Sequence, residues 1–359
     1  MFELNTLRAK LQPYLGWHGA RTLFVAAFIM ALFRRKTVNL SELAVAFPGR
    51  AKPESHYKRQ QRFFRAFELD YAVMARLVVA WMAIPEPWVL AVDRTQWDVG
   101  SSPVNILTLG VVHDGIAFPL VWTMLDKKGN SHTDERIELM ERFYELFPHR
   151  QVRCLTADRE FVGTGWLNYL LLAPDWKLKT PFRLRIRDSE RLWDGHRALK
   201  VRVVFAHLQS GQSQVLARRR RLWGRWVYVS ATRMSNGKLL VVATDQAPQM
   251  ALPDYALRWS IETLFGMFKS RGFCLEETGM QEPERLKKLF ALLSLALCWA
   301  VKVGQWLHDA KPLVLKAHGR LAKSVFRYGF DHLSHILLNL HQSQQQHDFQ
   351  RIIRFLSCT

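Results

Sequence analysis

Cysteine is sparse in this chain. The four residues Cys154, Cys274, Cys298 and Cys358 are scattered and include no CxxC pair, which argues against a zinc centre or a disulfide framework and fits a reducing compartment. Long apolar runs are missing too. The most apolar stretch, Leu289 to Val301, is bounded by Lys287, Lys288 and Lys302, and it falls short of the about 20 apolar residues a bilayer requires. A buried helix is expected there. The opening Met1-Phe-Glu-Leu-Asn5 is acidic and unsuited to the n-region of a signal peptide, so no targeting segment is expected. No internal repeat is visible. Acidic residues are few beside the basic ones, 31 against 51, for a formal net charge of +20. A field of that sign favours a polyanionic partner, and with the membrane option weak, nucleic acid is the better reading.

What is present suffices for a folded protein. The 359 residues, 49% of them hydrophobic, allow two or three domains with real cores. Residues 1–85 read as helical. Phe24 to Phe33 is an apolar helical run, and Asn39-Leu-Ser-Glu42 resembles a capping box opening a short helix before Pro48-Gly49. A second helix begins after Pro53, with Lys58, Arg62 and Arg65 on one face. Two short helices, the second one basic, resemble a helix-turn-helix DNA reader. The alternative is a packing module with a solvated basic face.

The texture changes at Pro85-Glu-Pro87. Trp88 to Asp93 reads as a buried strand that ends in a carboxylate. Val104–His113 and Ile116–Met124 are expected to form a hairpin about Asp114-Gly115. A helix over Thr133–Phe147, a strand over Gln151–Ala157 ending at Asp158, and a helix over Trp166–Leu172 complete an α/β core with a mixed sheet. The next stretch is mostly β, with expected strands at 199–206, 213–218, 224–232 and 238–244. Lys177-Leu-Lys179 and Arg183-Leu-Arg185-Ile-Arg187 alternate basic and apolar residues, which would line one strand face with cations. Residues 177–225 hold 14 Lys and Arg against Asp188, Glu190 and Asp194, a local net of +11. Arg218 to Arg221, with Arg219 and Arg220 central, stand beside Trp223 and Trp226. Cations with stacking surfaces suit a nucleic-acid backbone and unpaired bases.

The segment Tyr255 to Lys269 carries the sharpest pattern. Wound at 100° per residue from Glu262, Tyr255 falls near about +20°, Arg258 near about −40° and Lys269 near about −20°. One continuous helix is therefore expected to carry a phenol, a guanidinium, a carboxylate and an ammonium on one ridge. The apolar Leu257, Ile261, Leu264, Phe265 and Phe268 lie on a neighbouring face. With Asp93 and Asp158, Glu262 makes three carboxylates. Phosphodiester cleavage with two divalent ions needs oxygen donors of that kind.

On these residues the chain resembles DDE transposases of the bacterial IS-four insertion-sequence family. The resemblance rests on Asp93-Arg-Thr-Gln-Trp97, on Asp158-Arg-Glu-Phe161, and on a Tyr-Arg-Glu-Lys signature met by Tyr255, Arg258, Glu262 and Lys269. It covers about residues 40 to 335, including the tail that begins at His318-Gly-Arg320. It implies an RNase H-like core in two parts, 86–175 and 251–308, interrupted by a β-stranded basic insertion at 176–250. A helical DNA-binding region at 1–85 and a helical C-terminal region at 309–359 would flank them. It further implies two Mg²⁺ or Mn²⁺ ions held by Asp93, Asp158 and Glu262, with Tyr255, Arg258 and Lys269 on phosphates. Arg159 and Glu160 are expected beside the metals or the DNA. Lys58, Arg62, Arg65, Arg183, Arg185, Arg187, Arg219 and Arg220 are further expected DNA contacts.

The implied partners are terminal inverted repeats and target DNA, bound by a homodimer in a paired-end complex in the bacterial cytoplasm. The implied reaction is cut-and-paste transposition through a hairpin. Well-known members place a base-stacking Trp where Leu240 stands here, so Trp223 and Trp226 are the stacking candidates. Two other classes remain: a catalytically silent DNA-binding relative that represses transposition, and an acid-base hydrolase using carboxylates without metal. The intact triad speaks against the first and the cationic β stretch against the second.

Overall fold

The computed structural model describes residues 2–172, 179–317, 319 and 321–357. Lys177 and Leu178 of the expected alternation, and His318 and Arg320 of the tail motif, lie outside the described residues. The chain forms two compact units. Unit 1 comprises Met1–Ile84, Trp97–Val104 and Phe265–Thr359; unit 2 comprises Pro85–Gln96 and Asn105–Leu264.

Unit 1 opens with five helices, α1 (Phe2–Leu15), α2 (Gly19–Arg35), α3 (Leu40–Ala46), α4 (Pro53–Ala66) and α5 (Tyr71–Met82). Their starts follow from local chemistry. The Asn39 side chain accepts from the N–H groups of Ser41 and Glu42 at the head of α3, and Asp70 does the same for Ala72 and Val73 of α5. Pro53 supplies the first turn of α4 with a residue that needs no N–H partner. Every residue of α2 from Phe24 to Phe33 is buried, which explains its lack of a polar stripe.

Unit 2 begins with β1 (Trp88–Val99) and β2 (Ser102–His113), whose adjoining ends within Trp97–Val104 belong to unit 1, and β3 (Ile116–Met124), followed by α6 (Thr133–Leu146), β4 (Val152–Ala157), α7 (Thr164–Leu171) and β5 (Phe182–Ile186). The β2–β3 turn places both Asp114 and Gly115 at positive φ, 48° and 74°, as the primed hairpin turn demands. Next come β6 (Arg191–Trp193), β7 (Ala198–Lys200), α8 (Val201–Val204), β8 (Ser213–Val215), β9 (Arg220–Leu222), β10 (Arg225–Arg233) and β11 (Leu239–Thr244). The unit closes with α9 (Ala251–Ala256) and α10 (Trp259–Phe268), whose last residues belong to unit 1.

One mixed sheet runs in the order β3-β2-β1-β4-β5-β11-β10-β9-β6-β7, with β8 added on β10. β1, β4 and β5 are parallel neighbours. β5 and β11, expected in the insertion, are hydrogen-bonded into the same sheet as β4. The expected strand at 199–206 is corrected to a short strand followed by the helical turn α8. That turn brings Val201 and Phe205 to one side, where both are fully buried. β6 and β9 were not anticipated, because three residues are too few to show a period of two.

The chain returns to unit 1 in α11 (Pro283–Ala310), α12 (Val325–Leu338) and α13 (Ser343–Ser357). The lysines inside α11 do more than bound an apolar run. Lys288 donates to the Phe64 carbonyl at 3.0 Å and Lys302 to the Trp81 carbonyl at 2.7 Å, near the ends of α4 and α5. Gly304 and Gly329 let α11 and α12 approach so closely that a Cβ on either would meet the facing backbone. No single helix among the described residues is long and apolar enough to cross a membrane.

Candidate active site

Strand register assembles the centre of unit 2. β1 and β4 pair in parallel with Val92 opposite Ala157, so Asp93 and Asp158, the next residues, emerge side by side. β4 and β5 pair with Ala157 opposite Leu184, which brings Arg185 next to Asp158. Its Nη1 donates to Asp158 Oδ1 at 3.2 Å. Asp93 lies within β1 rather than at its end, because that strand continues to Val99.

The third acid arrives from α10. The expected continuous helix from Tyr255 to Lys269 is corrected: α9 ends at Ala256 and α10 starts at Trp259. The intervening turn is tightened, with Arg258 N–H donating to the Tyr255 carbonyl and Ile261 N–H to the Arg258 carbonyl. Even so, Tyr255, Arg258 and Glu262 meet the aspartates. Arg258 Nη1 donates to Asp93 Oδ2 at 2.9 Å and Nη2 to Glu262 Oε1 at 2.5 Å. The Tyr255 hydroxyl donates to Asp158 Oδ1 at 3.2 Å. Arg258 is only 4% exposed, and its Nε has no hydrogen-bond partner among the described residues.

The electrostatics are those of a crowded anionic site with an internal counter-ion. Burial pushes the Asp93 carboxyl up to about 7, with the Glu160 and Asp158 carboxylates adding to the rise and Arg258 opposing it. Burial also acts against the Asp158 charge. The Arg159 backbone N–H, together with the Arg258 and Arg185 guanidinia, outweighs it and holds that carboxyl below its usual range. Burial raises the Tyr255 phenol to about 12, so it is a donor at neutral pH. Arg258 is pulled down by burial, but Tyr255 and the surrounding acids reverse this and raise it, keeping it charged.

Three carboxylates supply the hard oxygen donors that Mg²⁺ or Mn²⁺ takes. Among the described residues no three acids converge on one point; the Arg258 guanidinium lies between Asp93 and Glu262 instead. The donor set fits a divalent cation in kind. The raised Asp93 carboxyl marks a site where added positive charge would be welcome.

A further layer orients these groups; of its members the sequence reading names Glu160 but not Arg94, Asn130 or Asp254. Arg94 grips Glu160 through Nε at 2.9 and 3.1 Å, and reaches Gln96 and Asn130, each at 3.0 Å. Its backbone N–H donates to Asp93 Oδ1 at 2.8 Å. Asp254 is buried between Arg153 and Arg183. Its only sequence signal is its place one residue before Tyr255.

The other expected site residues divide. Arg183 is corrected from DNA contact to internal support: it is 2% exposed, pairs with Asp254 and donates to Thr244 Oγ1 at 2.6 Å. Arg159 and Arg187 are exposed. Lys269 belongs to unit 1, where its ammonium pairs with Glu276 at 2.5 Å and lies 5.5 Å from the Trp97 ring centroid. Lys58, Arg62 and Arg65 line an exposed face of α4 in the same unit. Arg219 stacks on Tyr228 at 4.8 Å, and Arg220 donates to the Arg218 and Arg219 carbonyls. The Trp223 indole N–H is committed to Glu190 at 3.0 Å. Trp226 is 46% exposed and packs 5.6 Å from Trp193.

The family model described as the transposase DDE domain matches residues 84–299, more than half of the chain and the whole of this site. Among solved structures, the chain is similar to the cryo-EM structure of the piggyBac transposase synaptic complex with hairpin DNA. The identity is 10% and the TM-score 0.49, with 98% of this chain and 83% of that chain covered. No curated protein sequence matches.

Proposed function

Because this chain belongs to the transposase DDE domain family, we propose that it is a DNA transposase that cleaves phosphodiester bonds at insertion-sequence ends and joins them to target DNA. The observation that carries the proposal is the register of β1, β4 and β5, which sets Asp93 and Asp158 side by side with Glu262 linked to them through Arg258. The hairpin strands β1 to β3, with β4 and β5 added in parallel, support an RNase H-like core. The Tyr-Arg-Glu-Lys residues support membership of the IS-four group.

In this reading Asp93, Asp158 and Glu262 hold two divalent ions. When bound, such ions activate a water or 3′-hydroxyl and stabilise the leaving oxygen. The remaining work falls to the chain itself. Tyr255, protonated at neutral pH, donates a hydrogen bond towards Asp158 and fixes its orientation. Arg258, whose two Nη groups hold Asp93 and Glu262, would present the same groups to a phosphate. Arg94 keeps Glu160 neutralised. Cut-and-paste chemistry through a hairpin, and a homodimer that pairs two DNA ends, complete the proposal.

A second reading has one observation in its favour. The Arg258 bridge occupies Asp93 and Glu262, as it would in a silent DNA-binding relative. Cleavage of a duplex carrying the sequences that flank the gene, with and without Mg²⁺, separates the two. Metal-dependent nicking that disappears in Asp93→Ala and Glu262→Ala, with DNA binding retained, is the expected result. Binding without cleavage under any metal condition favours the silent relative, and cleavage by either variant at the parental rate ends the assignment of the triad.

A further inference from the structure

Beside Asp158, unit 2 carries a cleft of about 220 Å³ lined mostly by charged residues. Its cations come from separate stretches of chain. Arg159 follows β4, Arg187 follows β5, Arg202 sits on α8, and Lys238 closes the β10–β11 hairpin. All four are exposed, and their side chains make no hydrogen bond or ion pair with any described residue. The only acid in the lining is Asp188.

Two further arginines are built into the walls. Arg185 is tied to Asp158. Arg233 donates to the carbonyls of Leu208, Gly237 and Phe205, each at 3.2 Å. Arg233 therefore holds the hairpin that presents Lys238 and leaves its neighbours unengaged. Convergence from four segments distinguishes this cleft from the local run Arg218 to Arg221, where cations simply follow one another in sequence. Holding this many like charges together against the single carboxylate of Asp188 is unfavourable, and an anionic occupant relieves it.

We propose that this cleft is a phosphate subsite, taking a backbone phosphodiester of the DNA strand that lies next to the cleaved bond. The inference rests on the transposase reading for the identity of the ligand, while the cleft stands on its own geometry. Small-molecule sites usually enclose about 300–1,000 Å³ of mostly apolar surface. A smaller cleft with a charged lining suits one anionic group of a larger ligand whose bases lie outside. The alternation along β5 leads into it: Arg183 is buried against Asp254, Arg185 reaches Asp158, and Arg187 enters the cleft. Successive positions of one strand face thus pass from internal support, to the acid site, to the bound strand.

The test is equilibrium binding of a fluorescein-labelled end duplex by the full chain in EDTA, over a range of salt. Variants are Arg187→Ala, Arg202→Ala, Lys238→Ala and the triple combination, with Arg76→Ala, an exposed position on the otherwise largely buried α5, as a control for lost charge elsewhere. Each cleft variant is expected to weaken binding several-fold. The slope of log K against log salt should fall by about 0.9 for each phosphate contact removed. The loss should be equal on an unrelated duplex of the same length, because phosphates carry no sequence. Unchanged affinity and slope in all four cleft variants overturns the subsite. An equal loss in Arg76→Ala also overturns it, by showing a general field effect. Should the triple variant fail to fold, the singles decide by the same criteria. A parent that binds DNA through the cleft but never cleaves it would sink the enzyme reading and leave the subsite standing. Cleavage by the parent with unaltered binding in the cleft variants does the reverse.

Discussion

Arg258 and Asp93 meet at 2.9 Å across 165 residues of sequence, and the same guanidinium holds Glu262 with its other terminal nitrogen. One cation therefore neutralises two of the three acids, all of which lie within the matched transposase DDE domain. Removing it in Arg258→Ala leaves Asp93 desolvated and unpaired. A loss of about 3 kcal/mol in unfolding free energy is expected, near the low end for breaking a buried pair because Asp93 can take up a proton. Mg²⁺ should restore part of that loss, raising the melting temperature of Arg258→Ala more than that of the parent. Equal metal-induced shifts in the two proteins would count against a shared role for Asp93 and Glu262.

The raised Asp93 carboxyl has a signature in stability. Its ordinary value of 3.8 rises to about 7 on folding, through burial first and then like charges. The folded state thus binds the proton more tightly than the unfolded one. Its contribution is full below about pH 4 and is lost as pH rises through about 7, with a slope of at most about 1.4 kcal/mol per pH unit. Denaturant titrations between about pH 5 and about pH 8 should show the parent losing stability relative to Asp93→Asn, which lacks the titrating group. Parallel curves for the two proteins would show that Asp93 titrates normally.

Much of this site is legible in the sequence. The strand end delivering Asp158, the strand that carries Asp93, the Asp114-Gly115 hairpin and the helical start of unit 1 all follow from short-range pattern and turn chemistry, although β1 runs on past Asp93 to Val99. What could not be read depends on partners far apart in sequence. Alternation at Arg183, Arg185 and Arg187 identifies one face of β5, yet a period of two is silent on whether that face meets solvent or Asp254, which lies 71 residues from Arg183. The break at Leu257 and Arg258 was hidden as well, because it contains neither Gly nor Pro and its side chains continue the helical spacing. Lys269 fits the signature by spacing alone, and spacing does not report that its ammonium is paired with Glu276.

The buried trio gives a stability test separate from DNA. Arg183 and Asp254 have side chains 2% and 1% exposed, and Arg153 reaches the same carboxylate. Asp254→Ala leaves an arginine buried without its counter-charge, and a loss of about 3–5 kcal/mol is expected in urea denaturation. Arg183→Ala should be similarly destabilised, with DNA affinity per folded molecule close to the parent. A stable Arg183→Ala protein with a selective DNA-binding defect would restore Arg183 as a contact.

The two tryptophans expected to stack on bases differ in what they are free to do. Trp223 sits in the β9–β10 turn at φ 47°, and its indole N–H is used on Glu190. That ring is part of the turn. Trp226 is 46% exposed and rests against Trp193, over which Arg221 lies at 6.0 Å. A base sliding onto this aromatic and cationic surface would gain about 1–3 kcal/mol. Trp226→Ala should therefore weaken binding to end DNA carrying unpaired bases by about ten-fold, and leave a fully paired duplex nearly unaffected. Trp223→Ala should lower thermal stability and weaken both substrates alike. Fluorescence anisotropy with paired and unpaired ends reads the difference directly. If Trp226→Ala weakens both DNAs equally, the exposed ring is a general backbone contact and takes no base.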